Sequence, residues 1–278
     1  MSRGAGMQMA GPQLTTGIKQ LMVINVVAYV VYLLLLRSSL AGLANALALS
    51  PADVFSGQIW QPFTYMFIHS PVSISHLLMN MLMLFFFGGT VERMLGTRKL
   101  MVVYVLSGLG GAAATLLLAT LGQMVPGGSL GNLWTSIHLG ASGAVFGVVL
   151  CWGALQWERQ ANFFLLGTMK VKTFIYILIG IELLTLLSFA QGSSYTAHFG
   201  GMLTGFLLGR RGVPSLQRIA MPNLSKMRAQ AKHRQTQRRL ARFEVIDGGS
   251  ENPNRDDTAG RPIWLHRPDG SDDDPVIH

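Results

Sequence analysis

Apolar residues gather into six runs, at positions 18–36, 76–95, 100–121, 139–157, 173–190 and 195–209. A hydrocarbon core about 30 Å thick is crossed by about 20 mostly apolar residues in helical form, and each run comes close to that length. No charged residue falls between Leu100 and Trp157. The fourth and sixth runs are short and rich in glycine, which suits helices enclosed by others. The pattern predicts an all-α membrane protein, a bundle of six transmembrane helices.

The links between runs alternate in charge. Arg3 and Lys19 precede or open the first run; Arg93, Arg98 and Lys99 follow the second; Arg159, Lys170 and Lys172 follow the fourth. The stretch after the sixth carries 13 of the 22 basic residues, whereas the links after the first, third and fifth runs hold only Arg37. This is the positive-inside pattern for an even number of spans, with both termini cytoplasmic. The first loop, residues 37–75, is long and semi-apolar, with Trp60, Phe63, Tyr65, Met66 and Phe67. A loop of that length is functional or lies on something; this one is expected at the membrane interface, in short helical pieces. Three parts result: a cytoplasmic segment 1–17, a six-helix domain 18–211, and a cytoplasmic tail 212–278, helical or disordered.

Composition supports this division. Half of the 278 residues are hydrophobic and 13% are charged, against about 25% charged in a soluble domain. The net charge of +9 is concentrated: ten Lys or Arg and no acid lie between residues 210 and 242, followed by an acidic end. Beside a membrane helix such a basic run reads as a flank near anionic lipid, not a nucleic-acid site. The segment before Ile18 lacks the pattern of a signal peptide, which with the short six-span layout points to a bacterial cytoplasmic membrane. The lone cysteine, Cys151, sits in an apolar run and reads as a small buried residue.

Polar side chains inside apolar runs are costly and are functional candidates by default. His76 and Asn80 open the second run, Ser142 lies near the start of the fourth, and His198 near the start of the sixth. All three runs enter from the external side, so these groups fall within roughly the outer 10 Å of the bilayer at 1.5 Å per residue. Ser142, in GASGAVFG, has Gly140 and Gly143 close by. A serine needs a base to become a nucleophile, and histidine is the usual one; His198 is the candidate. Gly143-x-x-x-Gly147 and Gly201-x-x-x-Gly205 offer small-residue faces through which the fourth and sixth helices can approach. His76 and Asn80, spaced i,i+4, share a helical face and can donate to an oxyanion together with the Ser142 amide. Taken singly, each has a plainer reading: G-x-S-G as helix packing, HxxxN as a polar clamp, and His69 and His138 as residues of the membrane interface. With no intramembrane Asp to orient His198, the pair is expected to act as a dyad.

At these residues the chain resembles the rhomboid family of intramembrane serine proteases. The resemblance rests on WQPFTYMFIH from Trp60, HLLMN from His76, FGGTVERMLG from Phe87, GASG from Gly140 and AHFGGMLTG from Ala197, in that order. It covers residues 18–209 and leaves the tail aside. It implies a six-helix fold with a water-filled cavity open to the external side, which hydrolyses transmembrane segments of single-span membrane proteins. It assigns Ser142 as nucleophile, His198 as general base and acid, and His76 and Asn80 to the oxyanion. It places Phe146 against the histidine ring and Glu92–Arg93 as a structural pair, and it implies no metal or other cofactor. Gly140, Gly143, Gly201 and Gly205 support the site.

Three departures stand out. Trp60-Gln61 replaces the family's frequent Trp-Arg, His69 and His76 are seven apart rather than five, and Glu182 matches no motif. A neutral or internally paired carboxyl and a part in substrate gating are both open for Glu182. Two other functions compete with a protease. A catalytically silent relative that binds membrane clients would usually lack the serine or the histidine. A solute transporter would not explain why the polar groups cluster on one side.

Overall fold

The computed structural model describes residues 12–124, 132–163, 167–187, 195–214, 244–246 and 264–266. The chain divides into two units, Met1–Ser215 and Leu216–His278. In the first, α1 (Thr16–Leu36), α2 (Ile74–Leu95, with a π turn at Leu84–Gly88) and α3 (Thr97–Gln123) are long and apolar enough to cross a membrane. A shorter apolar helix α4 (Ser142–Leu155) follows, then α5 (Val171–Leu187) and α6 (Tyr195–Arg211). The fifth apolar run, read to residue 190, is described as helix to Leu187; residues 188–190 lie outside the described residues.

Helix α4 starts three residues later than the apolar run does. Gly140 has φ of 125°, a conformation a helix cannot contain and an L side chain rarely adopts. The turn therefore ends at Ala141, and Ser142 becomes the first residue of the helix. Nearly every side chain of α4 is buried, as expected for an enclosed helix. Helix α6 differs from that expectation: Ala197, Gly201, Met202 and Gly205 are buried, while Leu203 and Leu207 face outward. Helix α1 is apolar all round and exposes Val23, Val27, Val30, Val31 and Leu34, the surface of a helix that meets lipid.

Glycines bring α4 and α6 together. A Cβ on Gly201 would overlap the Gly143 carbonyl, and one on Gly205 would overlap the Gly147 carbonyl. Contacts that step forward together on both helices make them parallel. On the other flank of α6, a Cβ on Gly111 of α3 would lie 2.6 Å from the Ala197 carbonyl oxygen, and one on Gly200 equally close to that of Gly110. Here the order reverses, with Thr115 Oγ1 and Thr196 Oγ1 hydrogen-bonded at 2.7 Å, so α6 runs antiparallel to α3. Without a hydrophobic force between helices in lipid, close backbone approach and dispersion hold such a seam. Cys151 of α4 is buried beside Gly209 in the α4–α6 seam.

The far end of α2 is tied to α1 by a carboxylate. Glu92 accepts hydrogen bonds from the Thr15 hydroxyl, the Gly17 N–H (2.8 Å), the Ile18 N–H (3.1 Å) and the Thr97 hydroxyl (2.6 Å). Two of these donors are orphan amides of the α1 N-terminus, where a negative charge also complements the helix dipole. Arg93 reaches Thr90 Oγ1 at 2.9 Å and Gln13 Oε1 at 3.4 Å.

Between Leu36 and Ile74 the chain forms short helices at Ala41–Asn45, Pro51–Phe55 and Gln61–Thr64 and a 3-10 turn at Tyr65–Phe67. Gln61, where an arginine is frequent in the resembled family, is fully buried and accepts from the Ser50 N–H at 2.9 Å. A neutral amide thus holds this segment. The histidines read as interfacial are instead interior: His69 and His138 are 0% and 1% exposed. His138 exchanges backbone hydrogen bonds with Leu49 and His69 meets the Ala141 N–H, so tertiary pairing pulls both inside.

Between α4 and α5 runs an antiparallel hairpin, β1 (Gln160–Phe163) with β2 (Gly167–Lys170), where the sequence suggested only a basic link. Phe163 stacks on Phe174 at 4.3 Å beside Trp152. In the second unit the described residues form one antiparallel pair, β3 (Glu244–Ile246) with β4 (Trp264–His266). The tail expected to be helical or disordered therefore contains strands.

Two substitutions test these contacts. Gly205→Leu forces α4 and α6 apart and lowers stability by at least about 1–3 kcal/mol, the usual cost of overpacking. Glu92→Ala strands two buried amides and costs about 1–3 kcal/mol. Both are read as a fall in thermal midpoint of the purified protein.

Candidate active site

Ser142 and His198 meet because the α4–α6 seam fixes their helices one and three residues away. His198 Nε2 lies 2.7 Å from Ser142 Oγ. The imidazole packs against Phe146, with ring centroids 4.7 Å apart and the rings tilted by 49°, and meets Tyr195 in a T-shaped contact at 6.0 Å. Its other nitrogen, Nδ1, lies 2.8 Å from Glu182 Oε2 of α5, and both side chains are 14% exposed. This corrects the expectation of a histidine without an orienting carboxylate. The chain offers no intramembrane aspartate, but a glutamate of the preceding helix stands in that place.

His76 comes near the serine from α2. A Cβ on Gly140 would lie 2.6 Å from His76 Nε2 and 3.7 Å from Ser142 Oγ, so the ring occupies the space a side chain would fill. The Ser70 N–H points at His76 Nδ1 over a long 3.5 Å. That contact favours the tautomer with hydrogen on Nε2, the nitrogen facing Gly140 and the serine. Asn80, one turn along α2 and buried, donates from Nδ2 to the His76 carbonyl at 2.8 Å. This bond is the helix clamp that HxxxN alone suggests, and it leaves the second amide hydrogen for other use.

The turn before the serine is braced separately. The Gly140 N–H donates to the Tyr65 carbonyl at 3.0 Å, and the Ala141 N–H to His69 Nε2 at 3.4 Å. The Tyr65 hydroxyl donates to the Gly108 carbonyl at 2.7 Å, which ties the turn to α3. Burial, with the neighbouring His76, pushes the His69 imidazole down to about 4, so it is neutral and able to accept. Sequence reasoning passed over His69 as a brace, since its partner is a backbone amide 72 residues away.

Helices of apolar surface packed through glycines, with a hydrogen-bonded serine and histidine among buried side chains, define a helical membrane protein with a preassembled serine–histidine pair. A family model described as the Rhomboid domain matches residues 56–214. The chain belongs to the rhomboid family. It is similar to RHOMBOID-like protein 2 of Arabidopsis thaliana, 34% identical over 159 residues, which cover 56% of this chain and 43% of that protein. RHOMBOID-like protein 4 of the same plant is 33% identical over 150 residues, covering 54% and 33%. The Putative rhomboid protease YdcA of Bacillus subtilis (strain 168) is 30% identical over 155 residues, covering 56% and 68%. The chain thus spans less than half the length of these plant relatives.

The neutral state of His69 gives stability a pH dependence. The unfolded chain takes up this proton near pH 6.5, while the folded imidazole resists it to about 4. Stability is therefore full above about pH 6.5 and is lost as pH falls toward 4, by on the order of 3 kcal/mol. Thermal midpoints between pH 7 and pH 4 should fall more steeply for the wild type than for His69→Phe.

Proposed function

We propose that the protein is an intramembrane serine endopeptidase that hydrolyses peptide bonds in or near the transmembrane segments of single-span membrane proteins. The 2.7 Å contact between His198 Nε2 and Ser142 Oγ carries this reading, because a hydroxyl aimed at an imidazole is the activated nucleophile of acyl transfer. Membership of the rhomboid family and relatives bearing the name rhomboid protease support it.

Ser142 Oγ attacks the carbonyl carbon of a locally unwound substrate, and its proton passes to His198 Nε2. The oxyanion takes hydrogen bonds from the Ser142 N–H, His76 Nε2 and Asn80. Collapse breaks the C–N bond, and His198 protonates the leaving amine. Water then attacks the acyl ester, with His198 as base, releasing the carboxylic acid and restoring Ser142. In this reading all six helices α1–α6 cross a bacterial cytoplasmic membrane, with both termini in the cytoplasm. Residues 37–73 lie at the external interface, and water reaches Ser142 from that side.

The test is cleavage of a single-span substrate in liposomes by wild type, Ser142→Ala and His198→Ala. Each variant is expected to lose at least about 10³-fold in kcat/KM, the scale for removing a member of such a unit. Persistent cleavage by Ser142→Ala overturns the assignment. An inert wild type that still binds the substrate favours a client-binding member of the family.

A further inference from the structure

We propose that Glu182 is a positioning residue that completes a Ser142–His198–Glu182 triad. The inference rests on the reading of Ser142 as nucleophile. The first observation is that one imidazole is engaged at both nitrogens: Nε2 with Ser142 Oγ at 2.7 Å and Nδ1 with Glu182 Oε2 at 2.8 Å. An ionised carboxylate only accepts, so Nδ1 must carry the hydrogen. Nε2 then has its lone pair free for the serine hydroxyl, the tautomer a general base requires.

The second observation is where the carboxylate sits. On α5, Ile181, Leu183, Leu184 and Leu186 are exposed and apolar. Glu182 lies on the opposite stripe, one turn beyond Leu178 and two beyond the buried Ile175. Packing gives no reason for a carboxylate on the inward stripe of an apolar helix. A charge in such a helix is costly, and exchanging a buried ion pair for apolar residues is often neutral or stabilising. Among the described residues the ion-pair partner of Glu182 is His198.

Chemistry supplies the missing reason. When the Ser142 proton moves to Nε2, the ring becomes an imidazolium in a medium that solvates charge poorly. The Glu182 carboxylate, 2.8 Å from Nδ1, opposes that charge without taking the proton. Glu182 does not touch the substrate. It acts by holding the tautomer and orientation of His198 and by stabilising its charged form.

Glutamine at position 182 keeps the size and the capacity to hydrogen-bond but removes the charge, and its amide can donate to Nδ1 and trap the wrong tautomer. The full chain is reconstituted in liposomes with a single-span substrate, and kcat, KM and thermal midpoint are measured for wild type, E182Q, E182D, E182A and S142A. The expected result for E182Q is a fall in kcat of about 10²–10⁴-fold, KM within twofold of wild type, and an unchanged or raised midpoint. E182D, which keeps the charge on a shorter arm, should recover part of the rate that E182A loses. E182Q with kcat within threefold of wild type overturns the proposal while the S142A loss leaves the protease reading standing. A kcat loss that follows a matching fall in midpoint assigns a merely structural role and also overturns it. Cleavage by S142A, or an inert wild type, removes the protease reading and this inference with it.

Discussion

The backbone contact between α4 and α6 is the constraint from which the rest of the arrangement follows. Gly143 and Gly147 receive Gly201 and Gly205 with no room for a methyl group between them. Ser142 is one residue before the first of these contacts and His198 three residues before its partner, so the seam sets their separation as well as their register. A wider crossing, with side chains interposed, would separate two helices by 8–10 Å and leave a serine hydroxyl beyond reach of an imidazole. The glycines are unfavourable for each helix in isolation, by about 1 kcal/mol apiece relative to alanine. Their cost in local propensity is offset by contact that only a glycine face permits.

Among the described residues the two glutamates of the apolar runs, Glu92 and Glu182, lie toward opposite ends of the bundle, and each is hydrogen-bonded there. Glu92 and His76 lie on the same helix, α2, separated by roughly 24 Å of helical rise. At one end the Glu92 carboxylate is saturated by two amides and two hydroxyls that belong to α1 and its approach, α3 and the chain before them. At the other end Glu182, His198 and Ser142 form a linear chain of hydrogen bonds with His76 beside it. The two carboxylates differ in kind. Glu92 is consumed by neutral donors and serves as a fastening, whereas Glu182 faces a group that can itself become charged. That difference separates a structural acid from one with a chemical part to play.

Much of this was legible in the chain. The apolar runs marked the helices, and the glycine spacings marked the face through which α4 and α6 meet, because both signals are local and periodic. The convergence of Ser142, His198 and His76 followed from their positions at the starts of alternate runs. What was illegible depends on partners far away in sequence. His69 and His138 look like interface residues until Ala141 and Leu49 are seen to pair with them. The β1–β2 hairpin is four residues per strand with mixed polarity, too short for alternation to stand out, and is fixed instead by Phe163 stacking on Phe174. Glu182 carried a usable signal. It is an acid in the middle of the apolar run that directly precedes the sixth, where His198 waits.

The start of α4 joins these threads. A serine one turn inside a helix would have its amide committed to the carbonyl four residues before it. Ser142 is instead the first residue, so its N–H is one of the orphan donors and sits at the positive end of the helix dipole. Gly140 makes this possible by turning the chain with φ of 125° and by yielding its side-chain space to His76. The Tyr65 carbonyl and His69 then take up the two amides that precede the serine. The next amide in line is that of Ser142, at the start of the helix, and both the Ser142 hydroxyl and the His76 Nε2 lie close to Gly140. For the proposed reaction this means that the nucleophile and its own amide are set by one turn of backbone, that His76 and Asn80 reach them from α2, and that the base is brought to them by the glycine seam. In the proposed triad the carboxylate on α5 then decides how the imidazole faces and opposes the charge it gains.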